Sequence, residues 1–335
     1  MRYKLPGCLL VLVLTGCLHG YPPTPTNILP GASKSPTLIQ TVTPTAIYTS
    51  TPTYTLTPVF THASTPSITP TVIPTLSLGD ADLRLLDLLA GNGDCRLPCL
   101  WGIKPGESTY EEAKTILVPL SSISDFTAFA PGVGNITPYY TEGDLIIYTN
   151  VDFLINNNIV TRVYFQGRAL KEMSGENGVR GADNVFDSTF FGERLRLYML
   201  PKILSEYGRP ESVLLSTLGE LPLSNRDPGV HFNILLLYPD QGILAHYTTE
   251  MRVVGKNVVG CPANAHVELE LFPSGHSDSF FELLDPTYWP EKIKNDYKPL
   301  EEVTSLSIEG FYQTFRQATD ECLETPAILW PVPEK

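Results

Sequence analysis

The chain has 335 residues, 42% of them hydrophobic and 18% charged, enough for two domains at most once a leader and a linker are set aside. Its formal net charge is −13; only Arg2, Lys4 and Lys34 of the 23 bases, and none of the 36 acids, precede residue 77, so the remainder stands near −16. An acidic surface repels phosphate backbones and anionic headgroups, which argues against nucleic-acid binding and against direct docking of the domain on a membrane.

At the N-terminus Arg2 and Lys4 supply positive charge, and Leu5 to Leu14 is apolar apart from Gly7. A run of about ten residues is too short to span a bilayer, which needs ~20, and reads as the core of a signal peptide. Leu14-Thr15-Gly16-Cys17 closes that run, with small residues before the cysteine. This pattern resembles the lipid-attachment box of bacterial lipoproteins. The resemblance implies a signal over residues 1–16, a diacylglycerol on the Cys17 thiol, cleavage before Cys17, and acylation of the new amino group, with palmitate among the usual chains. One acyl chain holds a protein reversibly, whereas two or three anchor it firmly. The expected location is extracytoplasmic, anchored to the cell membrane, on the cell surface or in the periplasm.

Residues 17–76 are rich in Thr and Pro, in phrases such as Thr43-Pro44-Thr45, Thr51-Pro52-Thr53 and Thr69-Pro70-Thr71. Proline fixes φ and removes a donor, and no amphipathic period appears. The stretch reads as a partly polyproline-like, disordered linker whose full extension is on the order of 170 Å at ~3.1 Å per residue.

A folded domain is expected over residues 77–335. Leu83, Leu85, Leu86, Leu88 and Leu89 form a short helix stopped by Gly91-Asn92-Gly93. Ser108-Thr109-Tyr110-Glu111 has the pattern of a capping box and opens a helix over about 109–118, ended by Pro119. Strand signals follow at Asp125–Ala130 and Leu145–Tyr148. Val151–Ile155 and Ile159–Phe165 then flank the turn Asn156-Asn157-Asn158 as a hairpin. The order repeats with a helix through Tyr198, Leu200, Ile203, Leu204 and Tyr207, closed by Gly208. A strand at Val213–Leu218 and a hairpin of His231–Tyr238 with Ile243–Thr249 come next. The hairpin turn Pro239-Asp240-Gln241-Gly242 suits a type I turn with a left-handed glycine. Aligning Leu117 with Ile203 and Ile146 with Ile234 gives nearly equal offsets, so two repeat units are expected, at about 100–170 and 190–255, with an extension over 256–335. The extension carries the alternating strand His266–Phe272 and a helix capped by Ser307. The fold class that follows is α+β: tandem helix-plus-antiparallel-strand units forming a mostly antiparallel sheet with helices on one face.

Cys8 leaves with the signal and Cys17 takes the lipid, which leaves Cys95, Cys99, Cys261 and Cys322. An even set in an exported protein favours disulfides, with three connectivities open. The preferred pairing is Cys95–Cys99, helped round by Pro98, plus Cys261–Cys322, whose loop of about 60 residues contributes roughly 4 kcal/mol on the chain-entropy model. Zinc would ask for closer Cys-x2-Cys spacing.

No catalytic constellation stands out. Histidines occur at 19, 62, 231, 246, 266 and 276, none at ligand spacing on a helix. His231 and His246 lie on neighbouring expected strands. Ser274-Gly275-His276-Ser277-Asp278 has triad residue types crowded into one turn, unlike a triad assembled from separate elements. Glu268 and Glu270 share a strand face and offer a carboxylate pair. Gly91-Asn92-Gly93 and Gly132-Val133-Gly134 do not join a buried parallel strand to a helix, so a dinucleotide site is not expected. No cofactor and no metal are expected.

Ile103-Lys104-Pro105-Gly106-Glu107-Ser108-Thr109-Tyr110-Glu111-Glu112-Ala113 and Leu204-Ser205-Glu206-Tyr207-Gly208-Arg209-Pro210 resemble the helix entry and exit of small outer-membrane assembly lipoproteins of the SmpA/OmlA type and of the tandem β-lactamase inhibitor protein. The resemblance implies a scaffold for protein contacts and no catalytic residues. The expected function is therefore a lipid-anchored, non-catalytic module that binds a protein or an envelope component. The alternatives are a secreted hydrolase working through Asp/Glu with His231 or His246, and a solute-binding lipoprotein, which two α/β lobes would favour.

Overall fold

The computed structural model describes residues 73–130, 132–174, 180–185, 193–217, 231–275 and 296–330, all within the compact unit Ile68–Lys335. The expected signal, Cys17 and nearly all of the linker lie outside the described residues, as does His276-Ser277-Asp278.

Helix α1 (Leu78–Gly91) starts where the Ser77 side chain accepts a hydrogen bond from the Asp80 amide at 3.3 Å, and it buries Ala81, Leu85, Leu88 and Leu89. It stops because Asn92 turns left-handed, with φ of 51°. That residue is also a hub. Asn92 Nδ2 donates to the carbonyls of Cys95 and Cys99, each at 2.8 Å, and its Oδ1 accepts from the Trp101 amide at 3.0 Å. Asn92 is 4% exposed, so these bonds hold the Cys95–Cys99 turn against the core without help from water.

Helix α2 (Tyr110–Leu117) does carry a capping box, one residue later than its sequence signature. Thr109 is the N-cap and Glu112 the reciprocal partner. Ser108 is drawn elsewhere: its hydroxyl accepts from the Lys104 amide at 2.9 Å and its carbonyl from the Val160 amide at 2.8 Å. A tertiary bond to a strand decides which of two adjacent hydroxyl residues caps the helix.

Four strands then form a meander, β1 (Ser124–Ala130), β2 (Val133–Glu142), β3 (Leu145–Asn156) and β4 (Ile159–Ser174), with β5 (Arg180–Asn184) paired to the far end of β4. Strand β2 goes unread in the sequence because Pro138 and polar residues break its pattern. It forms nonetheless, with a register shift in its pairing to β1. The two apolar runs at 145–148 and 151–155 are a single strand, β3. After helix α3 (Leu200–Tyr207) come β6 (Ser212–Ser216), β7 (His231–Tyr238), β8 (Ile243–Val254), β9 (Asn257–Gly260) and β10 (His266–Leu271). The last described elements are β11 (Lys298–Pro299), α4 (Leu300–Val303), α5 (Ile308–Phe315) and β12 (Leu323–Pro326).

The described strands make one 12-stranded sheet with the main order β1-β2-β3-β4-β10-β8-β7-β6-β11, and every pairing is antiparallel. The fold is α+β. Taken inward the sheet runs β1-β2-β3-β4 from one side and, inside the two-residue edge strand β11, β6-β7-β8-β10 from the other. Strand β10, assigned by sequence to the extension beyond 256, is therefore the fourth strand of the second half and sits at the centre. The strand match by offset also shifts: Ile146 lies on the third strand of its half and Ile234 on the second. The insertion of β9 between β8 and β10 hides the correspondence in the sequence. Strand β9 turns back on the end of β8 and pairs on its other side with β12, and the Cys261–Cys322 disulfide locks that C-terminal ribbon to the sheet. Cys95 is bonded to Cys99.

The main core lies under one face of the sheet. It joins Leu85, Leu88, Leu117, Ile203, Leu204, Phe311 and Phe315 of the helices to alternate strand residues such as Val163, Phe165, Ile234, Leu236, Val267 and Leu269. At its centre Trp101, Phe165 and Tyr198 are nearly fully buried; Phe165 lies 5.8 Å from Trp101 and 4.7 Å from Tyr198 between ring centroids. Trp101 Nε1 donates to the Tyr198 hydroxyl at 3.0 Å, and Tyr247 donates to the Tyr198 carbonyl at 2.9 Å. Gly167 on β4 leaves room for the Leu195 side chain, whose Cδ1 would stand 2.9 Å from a Cβ placed there.

The Asn92 hub gives the first prediction. Asn92→Ala strands the Trp101 amide and two carbonyls and adds left-handed strain, and is expected to destabilise the domain by roughly 3–5 kcal/mol. Asn92→Gly, relieved of the strain, is expected to lose about 1 kcal/mol less. Urea unfolding followed by circular dichroism measures both.

Candidate functional site

The opposite face of the sheet holds the most concentrated chemistry. One row of side chains crosses six strands: Leu214 on β6, Leu235 on β7, His246 on β8, Glu268 on β10, Gln166 on β4 and Asn150 on β3. The row grades from apolar to polar. Its apolar end belongs to a second, smaller cluster of Leu235, Leu237, Leu244, Phe272 and Tyr297, with Leu214 packed against it. This is why Ile234-Leu235-Leu236-Leu237 is a continuous apolar run rather than an alternating one: β7 is covered on both faces.

Glu268 is the centre. It is 4% exposed, and a buried carboxylate without partners costs several kcal/mol. Its Oε2 lies 3.0 Å from His246 Nδ1, and its Oε1 accepts from Gln166 Nε2. Gln166 Oε1 in turn accepts from Arg168 Nη2. Burial pushes the Glu268 carboxyl up, but His246, by hydrogen bond and by charge, then Arg168 and Gln166, outweigh it and hold the group below its ordinary value. It is a carboxylate in the folded protein.

His246 is 1% exposed and is held at both nitrogens. Nε2 lies 3.0 Å from the Tyr297 hydroxyl and 3.2 Å from Asn233 Oδ1, which also accepts from Thr248 Oγ1 at 3.0 Å. Neutral His246 donates from Nδ1 to Glu268 and accepts from Tyr297. Protonated, it donates through Nε2 to Asn233. Asn233 Nδ2, buried beside it, has no hydrogen-bond partner among the described residues.

Neighbouring groups extend this polar field. Glu270, on the same strand face, lies 3.9 Å from Arg162. Tyr164 beside them is pushed well up by burial and by the charges of Glu268, Glu270 and Asp152, with Arg168 opposing. His266 is lowered to about 3, first by burial and then by Arg168 and His231, against the Val185 backbone and Glu268.

The sequence candidates sort as follows. His231 and His246 are on adjacent strands but not opposite one another: His231 faces Glu250 and His246 faces Leu235. The strand that brings His246 its partner is β10, whose register sets Glu268 directly beside it. Glu268 and Glu270 share a face, but they have different partners, His246 for the first and Arg162 for the second. Cys95, Cys99, Cys261 and Cys322 are in disulfides, and among the described residues no group of three or more His, Cys, Asp or Glu stands in metal-holding geometry. Gln166, Asn233 and Tyr297 escaped the sequence reading, since a lone amide or phenol carries no spacing signal.

No protein-family model matches the chain, and no curated protein or solved structure matches it significantly.

Two titrations follow from this face. His266 binds its proton only near pH 3 when folded but near 6.5 when unfolded, so it withdraws stability as pH falls between those values, by up to about 1.4 kcal/mol per pH unit. His266→Gln is expected to flatten the fall in urea-unfolding free energy between pH 6.5 and 4.5 by that slope. Glu268, lowered from 4.5, adds stability that is present above that value and lost as pH drops beneath it. The deficit of Glu268→Gln relative to wild type is expected to be constant above pH 5 and to shrink below pH 4.5.

Proposed function

We propose that the chain is a bacterial lipoprotein: exported, held to the cell membrane through lipid on Cys17, and carrying on a Thr/Pro stalk a domain that binds a protein or an envelope component without catalysing a reaction. The observation that carries the binding reading is the state of the Glu268–His246 pair. Glu268 Oε2 and His246 Nδ1 engage one another, while Gln166 holds the other carboxylate oxygen and Asn233 and Tyr297 the other ring nitrogen. A network with its reactive atoms tied in this way rigidifies a sheet face, as a recognition surface needs.

Export has independent support. Disulfides form and persist in oxidising compartments, and the domain has two, one of them closing a span of 61 residues. No helix among the described residues is long and apolar enough to cross a membrane. Attachment through Cys17 leaves the acidic domain free of the bilayer, with the stalk setting its distance. The resemblance of the helix entries and exits to SmpA/OmlA-type lipoproteins agrees with a scaffold for protein contacts.

A second reading, a hydrolase with His246 as general base, is favoured by one observation. Glu268 orients the ring through Nδ1 at 3.0 Å, as a carboxylate does in a catalytic triad. The two readings separate experimentally. On the binding reading, crosslinking on intact producing cells recovers a specific partner, and His246→Ala leaves every tested ester, peptide and glycoside unhydrolysed at the wild-type background. A turnover lost in His246→Ala but kept in Tyr297→Phe would establish the hydrolase instead. For the anchor, feeding an alkyne analogue of palmitate is expected to label the wild-type chain and not Cys17→Ser. Equal labelling of the two would place the lipid elsewhere.

A further inference from the structure

The stretch leading into α3 and the first turn of that helix face the segment after α5 across a half-open groove of about 410 Å³, lined by Arg196, Leu197, Met199, Pro201, Lys202 and Ala318. That volume is in the range of small-molecule sites. Four of the lining side chains are apolar, and both charged ones are cations, on a domain whose net charge stands near −16.

The cationic character is not cancelled locally. Lys202 Nζ is 2.9 Å from Glu206, but Glu206 also binds Arg96 Nε at 2.6 Å. One carboxylate is shared by two cations, which leaves a positive charge in excess. Arg196 is exposed, and among the described residues it makes no hydrogen bond or ion pair. Among the described residues no acidic side chain lines the groove. An apolar trough with an uncommitted guanidinium at its rim is complementary to an apolar body ending in one anionic group, and a guanidinium pairs best with a planar carboxylate through two parallel hydrogen bonds.

We propose that this groove binds a free fatty acid, its aliphatic chain laid on Leu197, Met199, Pro201 and Ala318 and its carboxylate on Arg196, with Lys202 adding charge. The site is remote in sequence from the Glu268–His246 face and does not depend on how that face is used.

The test is calorimetric titration of the full chain carrying Cys17→Ser, so that no acyl group of its own competes, with dodecanoate below its micelle concentration. Saturable one-to-one binding is expected, with dodecyltrimethylammonium, the same chain bearing the opposite charge, at least tenfold weaker. Arg196→Gln is expected to weaken dodecanoate at least tenfold while leaving the thermal midpoint unchanged. Ala318→Trp, which fills the groove from its other side, is expected to abolish binding of both. Absence of saturable binding, equal affinity for the two amphiphiles, or an unchanged affinity in Arg196→Gln would each overturn the proposal.

Discussion

The pairing of β4 with β10 is the constraint on which the rest depends. It joins two four-stranded meanders that meet at their last strands, and it does so in a single register: Phe165 with Leu269, Gln166 with Glu268, Gly167 with Val267. Because side chains alternate, that register sends Phe165 and Leu269 down into the core and Gln166 and Glu268 up to the opposite face. A slip of β10 by one residue would put a carboxylate among Trp101, Phe165 and Tyr198, and a leucine into the polar network. The seam is therefore specified twice, by packing beneath and by hydrogen bonding above.

The underside also links distant stretches of chain. Trp101 comes from the loop after the Cys95–Cys99 turn, Phe165 from β4 and Tyr198 from the approach to α3, and their rings and polar tips engage one another. Asn92 fastens this arrangement to the end of α1. The disulfide at Cys95–Cys99 closes a small loop and adds little chain-entropy stabilisation by itself. Its contribution is geometric: it shapes the turn whose two carbonyls Asn92 binds. The Cys261–Cys322 bond works at the other scale, tying β9 and β12 into a ribbon off the end of β8.

How far the sequence could be read depended on whether each signal was local. The hairpin turns were legible because residue type dictates backbone shape. Asn157 and Asn158 take φ of 51° and 66°, and Gly242 takes 69° after its 3-10 turn. The longer helices were legible by period, though the one-turn α4 was not, and Ser307 caps α5 as its position indicates. Strand β2 was not, because Pro138 and a polar composition disguise it, and it persists only through its neighbours β1 and β3. The capping box moved one residue because Val160 binds the Ser108 carbonyl. At the site, His246, Glu268 and Glu270 drew attention by type. Their partners Gln166, Asn233 and Tyr297 did not, since they lie up to 102 residues away along the chain and carry no spacing pattern.

By itself, then, the amino-acid sequence determined the α+β class, the helix-then-strands order given twice, the local turns and the even set of cysteines in the domain. These are properties of neighbours in the chain, where backbone propensity and side-chain period act directly. Only the tertiary structure decided that β10 belongs to the second half and sits at the centre of the sheet, that His246 answers to Glu268 rather than to His231, and that a row of side chains grades from leucine to amide across six strands. Those are matters of strand order and register, set by which long-range pairing buries the most apolar surface while leaving each buried polar group a partner. No stretch of the chain contains that information alone.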